Sequence, residues 1–128
     1  MKREVAFKIK REAMGLSQKD IAEFAKVSGS TVSMYENGAI VKESTIKLLE
    51  DTMYSTIDRI YPYNTRDRYE FNIRMYERMW EMSETTNDKK RFLNQLLLSI
   101  AFIQKDDIQK ERPNYSRNEN REYVFEGR

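Results

Sequence analysis

Cysteine and histidine are both missing from the chain. Their absence removes disulfides, thiol nucleophiles, the usual zinc sites and every Ser-His-Asp arrangement, so most catalytic chemistry is excluded before any motif is read. Glycine occurs 4 times and proline twice in 128 residues. With strand-like alternation also scarce, the chain reads as helices joined by short turns, an all-α fold. Charge of one sign is lacking too, since 23 Lys and Arg face 21 Asp and Glu for a net of +2. A purely electrostatic nucleic-acid binder is thereby ruled out, and any such function must come from charge placement. The longest apolar stretch, Leu96-Leu97-Leu98 broken by Ser99 and resumed from Ile100 to Ile103, falls far short of the roughly 20 residues of a membrane span. The start, Met1-Lys2-Arg3-Glu4, leads into an amphipathic stretch rather than a signal-peptide core. A cytoplasmic protein without metal or cofactor is expected.

What is present is helical spacing with capping residues at the right places. Phe7, Arg11 and Met14 share one face of a first helix, Glu4 to Met14, and Gly15 follows where a left-handed residue is needed. Ser17 with Asp20 three residues on forms a capping box for a second helix, Gln18 to Ala25. Ser28 caps a third, Gly29 to Asn37, which Asn37-Gly38 terminates. Ile46, Leu49 and Met53 predict a fourth helix after Ser44, and Ile57 and Ile60 a fifth turn near Thr56 to Ile60. Tyr61-Pro62-Tyr63-Asn64 breaks the pattern and sets a domain boundary, dividing residues 1–62 from a helical hairpin over 63–112. The hairpin comprises a helix over Arg66 to Met82, with Tyr69, Ile73, Tyr76 and Trp80 at helical spacing, and another over Lys89 to Gln109, capped by Asn87 or Asp88. Residues 113–128 turn to Asn, Arg, Glu and Ser and read as a flexible tail.

The segment from Gln18 to Asn37 carries the functional pattern. Two short helices joined by a three-residue turn must cross closely, which requires a small residue; Ala22 is that residue, with Val32 opposite. Ile21, Ala25, Val27 and Tyr35 supply the other inward contacts, leaving a polar outer face. Through Gly15-Leu16-Ser17-Gln18-x-x-Ile21-Ala22 and Val27-Ser28-x-Ser30-Thr31-Val32-Ser33-x-Tyr35-Glu36-Asn37-Gly38, the sequence resembles the Cro and phage-repressor type of helix-turn-helix regulators over about Phe7 to Ile60. The resemblance implies a five-helix lambda-repressor-like DNA-binding domain ahead of the hairpin. It also implies that the third helix lies in the major groove, with Gly29, Ser30, Thr31, Ser33 and Met34 nearest the base edges. Gln18 and Lys19, at the start of the second helix, then face a phosphate. Asn37 matches a phosphate-donating position but is also explained by capping, and Lys42 either contacts phosphate or is simply solvated. Arg11 and Glu36 match a pair that in the family forms a largely buried ion pair.

Two positions depart from the family pattern. Lys26 stands where glycine is usual, in a turn that wants a left-handed conformation. The base-facing side chains are short or apolar, so strong bidentate readout is missing. Part of the specificity is therefore expected from DNA shape, from half-site spacing in a dimer, or from Lys2 and Arg3 reaching a groove. Basic residues gather at the front, with Lys2, Arg3, Lys8, Lys10, Arg11 and Lys19 against Glu4 and Glu12.

The last helix is apolar nearly all round, with Leu93, Leu96, Leu97, Ile100 and Ile103 on one side and Leu98 and Phe102 elsewhere. One partner helix cannot cover that width. Together with Tyr69, Ile73, Tyr76 and Trp80 it is assigned to dimerisation, the alternative being completion of a monomer's core. Met75, Met79 and Met82 are expected mainly in core packing. The leading function is a dimeric repressor, from a bacterium, phage or mobile element, that reads a palindromic operator in double-stranded DNA. Its rivals are an antitoxin whose hairpin neutralises a toxin, or an adaptor that no longer binds DNA. No enzyme activity is expected.

Overall fold

A computed structural model describes residues 1–111 together with the strand pairs at 115–116 and 124–125. The helices are α1 (Arg3–Ala13), α2 (Gln18–Ala25), α3 (Gly29–Glu36), α4 (Glu43–Ile60), α5 (Arg66–Met82) and α6 (Thr86–Glu111). Strand β1 (Tyr115–Ser116) pairs antiparallel with β2 (Val124–Phe125). The expected tail over 113–128 otherwise lies outside the described residues. No helix among the described residues is long and apolar enough to cross a membrane.

Local chemistry sets the boundaries. Gly15, at φ 74°, ends α1 in the left-handed region that β-carbons disfavour. Ser17 Oγ accepts the Asp20 amide at 3.0 Å while Asp20 Oδ2 accepts the Ser17 amide at 2.9 Å, so the start of α2 is doubly capped. Hydrogen bonding of the Asp20 carboxylate to Ser17 holds its pKa below the usual value. Ser28 Oγ accepts the Thr31 amide at 3.2 Å and starts α3. The separate fifth turn expected near Thr56 to Ile60 is instead the end of α4. No glycine or proline interrupts 43–60, and Leu49, Met53, Thr56 and Ile57 keep one buried helical face through it. The last helix starts earlier than expected, because Thr85 Oγ1, rather than Asn87 or Asp88, caps it by accepting the Asp88 amide at 3.1 Å.

Phe7, Ile21, Val32, Tyr35, Leu49 and Ile57 fill the space between α1, α2, α3 and α4. The same core continues without a break into Phe71, Met75 and Met79 of α5 and Phe92 of α6. Tyr61, in the connection after α4, stacks on Phe71 with ring centroids 4.7 Å apart, and Arg74 Nε donates to the Ala13 carbonyl at 3.2 Å. These contacts fasten the hairpin to the connection after α4 and to α1. The two hairpin helices are tied to each other by Tyr69 stacked on Phe102, 3.9 Å between centroids, and by Arg66 paired with Asp107.

The turn between α2 and α3 holds Lys26 at φ 60° and ψ 42°, with the Val27 amide bonded to the Ala22 carbonyl at 3.0 Å. A side chain there is strained relative to glycine. Lys26→Gly should raise stability by about 1 kcal/mol, read as a higher urea midpoint at unchanged slope; a lowered midpoint would mean that the lysine stem contributes contacts that outweigh the strain.

Candidate nucleic-acid interface

The site begins with a buried charge. Arg11 projects from α1 into the core end of α3, where Nε meets Glu36 Oε2 at 2.7 Å and a second guanidinium nitrogen meets Oε1 at 2.8 Å. Its third nitrogen donates to the Leu16 carbonyl at 2.8 Å. Glu36 Oε1 also accepts from Gln18 Nε2 at 2.9 Å. The four residues thus tie α1, the turn after it, the start of α2 and the end of α3 into one unit. Both charged side chains are 10% exposed or less, so the fork geometry and extra hydrogen bonds must compensate for desolvation. Hydrogen bonding to Glu36 raises the Arg11 pKa further and keeps the guanidinium charged.

Behind this lock, α2 and α3 cross at a tight contact. Ala22 is 2% exposed and Val32 fully buried, with Ile21, Ala25 and Tyr35 buried around them and Val27 half-buried. Packing therefore consumes one edge of α3 and leaves the other outside. Ser30, Met34 and Asn37 are exposed, and Thr31 and Ser33 half-buried. Gly29 is open: a β-carbon there would meet nothing within 4 Å. Packing does not demand its missing side chain, and the bare backbone can approach another molecule closely.

The hydroxyls on this edge are prearranged. Ser28 Oγ lies 3.0 Å from Ser30 Oγ and 2.8 Å from Thr31 Oγ1, while Asn37 Nδ2 donates weakly to Ser33 Oγ at 3.4 Å. Ser28, a helix cap by sequence, also organises this network, as its place two and three residues before hydroxyl side chains allows. Asn37 turns its amide back along α3 rather than onto the helix end.

Gln18 sits half-buried at the first turn of α2, and its bond to Glu36 engages one of two amide hydrogens. Lys19 and Lys42 are exposed, on α2 and in the loop after α3. Arg3, offered with Lys2 as one of three sources of specificity, is exposed but already engaged. Its guanidinium is held by Glu43 at 2.9 and 3.0 Å and by Glu50 at 2.8 and 2.9 Å, because α4 brings two carboxylates beside the start of α1. These bonds raise the Arg3 pKa and lower those of Glu43 and Glu50.

The hairpin residues divide into two sets. Tyr69, Ile73, Tyr76, Leu96, Ile100 and Ile103 are half-buried, whereas Trp80, Leu93 and Leu97 are exposed. The buried stripe of α5 is Phe71, Met75 and Met79, displaced from the aromatic spacing that the sequence makes conspicuous, and Met82 is exposed. Leu97 at 53%, Leu98 at 64% and Ile108 at 63% leave an apolar strip on α6 without cover from the rest of the described chain.

Among known proteins, residues 7–58 match a family model described as Helix-turn-helix. That span takes in most of α1, all of α2 and α3, and nearly all of α4. No curated protein and no solved structure matches the chain.

Removing one member of the lock should be costly. Glu36→Ala leaves a buried guanidinium unpaired and should lower unfolding free energy by about 3–5 kcal/mol. Replacing both partners, Arg11→Met with Glu36→Leu, should cost much less; equal losses in denaturant titrations would show that the pair's own attraction, rather than an orphaned charge, dominates.

Proposed function

We propose, on the premise that residues 7–58 form a helix-turn-helix domain of the Cro and phage-repressor type, that the chain is a dimeric transcriptional repressor reading a palindromic operator. The observation that carries this reading is the outer edge of α3. It is polar, prearranged, and held away from the core by the Arg11–Glu36 lock. With α3 in the major groove, Ser30, Thr31 and Ser33 offer short hydroxyl contacts, Gly29 lets the backbone approach, and Met34 meets apolar groups such as a thymine methyl. Helix geometry leaves the first amides of α2 without helical partners, so Gln18 and Lys19 face a phosphate there. Asn37 and Lys42 contact phosphate from the far end of α3. These contacts set register rather than sequence.

Dimerisation supplies what short side chains cannot. Two reading units at a fixed separation double the contacts and make half-site spacing part of the specificity. The strip of Leu93, Leu97 and Leu98 on α6, with Trp80 nearby in the hairpin, is the surface proposed to meet a second copy, since one apolar helix face packing on its two-fold mate is self-complementary. Occupying a promoter is sufficient for repression.

Two measurements test this. Ser30→Ala with Ser33→Ala should abolish the preference for selected over random duplex while leaving melting temperature and oligomeric state unchanged; retained preference would remove α3 from the reading role. Residual binding should weaken steeply with salt, whereas affinity indifferent to salt would favour a protein-binding adaptor. Leu97→Glu should shift sedimentation from dimer to monomer with the helical content intact, and a wild-type chain that sediments as a monomer would contradict the dimer.

A further inference from the structure

A cavity of about 470 Å³ lies where α1 and α4 meet the α5–α6 hairpin. Its apolar lining comes from Ile57, Phe71, Met75, Met79 and Phe92. Three cations, Lys10, Arg68 and Arg91, also line it, together with the phenols Tyr54 and Tyr76, and no carboxylate does. The volume falls in the range of sites for small organic ligands, which combine an apolar body with a few convergent polar groups.

The charges around it do not cancel. Arg68 is neutralised from outside the lining by Asp58 at 3.0 Å and is further fixed by the Tyr61 carbonyl at 3.0 Å. Arg91 meets Asp88 at 3.0 Å, and its guanidinium carbon lies 4.7 Å from the Phe92 ring centroid. Lys10 has a different partner: its ammonium reaches the Tyr54 hydroxyl at 3.4 Å and lies 4.6 Å from that ring's centroid. Glu50 also acts on it, and because Glu50 and Glu43 together hold the single charge of Arg3, these two carboxylates balance Arg3 and Lys10. Asp88 also takes the amino group of Met1 at 3.1 Å, so two cations share that one carboxylate and one positive charge is left over beside an apolar space. Burial raises the Tyr76 pKa against the opposing pull of Arg68 and Arg91.

We propose that this cavity binds a small organic monoanion with an apolar body, its carboxylate held by Lys10 and Arg91 and its body resting on the methionine and phenylalanine floor. Because helices of both the reading domain and the hairpin wall the cavity, a bound molecule adds to the contacts that already join them. Its effect on DNA affinity rests on the function proposed above, but the binding itself is measured without DNA.

The test is isothermal titration of the full chain with decanoate and with 2-naphthoate, against decanol, 2-naphthol and inorganic phosphate. A one-site isotherm is expected for at least one carboxylate, the chain or the ring compound telling which body fits, with much weaker binding of its alcohol and of phosphate. Lys10→Met with Arg91→Met should bind that carboxylate about tenfold more weakly or worse, the loss expected when charge-assisted hydrogen bonds go, at an unchanged melting temperature. Should the pair of substitutions prevent folding, Lys10→Met alone carries the comparison. Failure of both carboxylates to saturate, equal binding of the alcohols or of phosphate, or undiminished binding by the variant would overturn the proposal.

Discussion

The Arg11–Glu36 contact fixes the geometry on which the rest of the reading domain depends. Twenty-five residues apart in sequence, the two side chains meet through two hydrogen bonds of 2.7 and 2.8 Å. Their satellites matter as much as the pair itself. The Leu16 carbonyl accepts from the third guanidinium nitrogen and Gln18 donates to a carboxylate oxygen, so each nitrogen and each oxygen of the pair has at least one partner. A buried network in which every polar atom has a partner favours one arrangement over its neighbours, because any slip leaves a charge unpaired in a poorly solvating medium. Here that arrangement fixes the angle at which α3 leaves the core, and with it the edge that faces outward.

Charge elsewhere is distributed so that much of the basic surface is already committed. Arg3 is held by Glu43 and Glu50, Arg68 by Asp58, and Arg66 by Glu70 and Asp107. Such exposed pairs contribute little stability, but they withdraw cations from general attraction to polyanions. Under the proposed function, the exposed Lys19 and Lys42 therefore count for more than a net of +2 suggests. In the proposed mode, fit and paired half-sites count for more than overall field.

Much of the reading domain was legible because its determinants are local. The Ser17–Asp20 box and the small Ala22 at the crossing follow from spacing within a few residues, while the left-handed residue at position 26 is implied by the family resemblance. The hairpin was less legible for a physical reason. Its first helix carries two apolar registers, Tyr69-Ile73-Tyr76-Trp80 and Phe71-Met75-Met79, and periodicity cannot choose between them. The choice is made by where α1 and α6 sit, which the α5 sequence does not contain; the second register is buried and Phe71 becomes the anchor against Tyr61. Capture of Arg3 by carboxylates 40 and 47 residues away was hidden in the same way.

The central claim is that the hydroxyl-bearing edge of α3 enters a major groove. Methylation protection on duplexes selected by this protein from a random pool tests it most directly, because dimethyl sulfate marks guanine N7 in that groove. The account predicts two protected patches about one helical turn apart, centred on a pseudo-palindrome. Selected duplexes whose guanines remain fully reactive, or protection confined to adenine N3 in the minor groove, would contradict it.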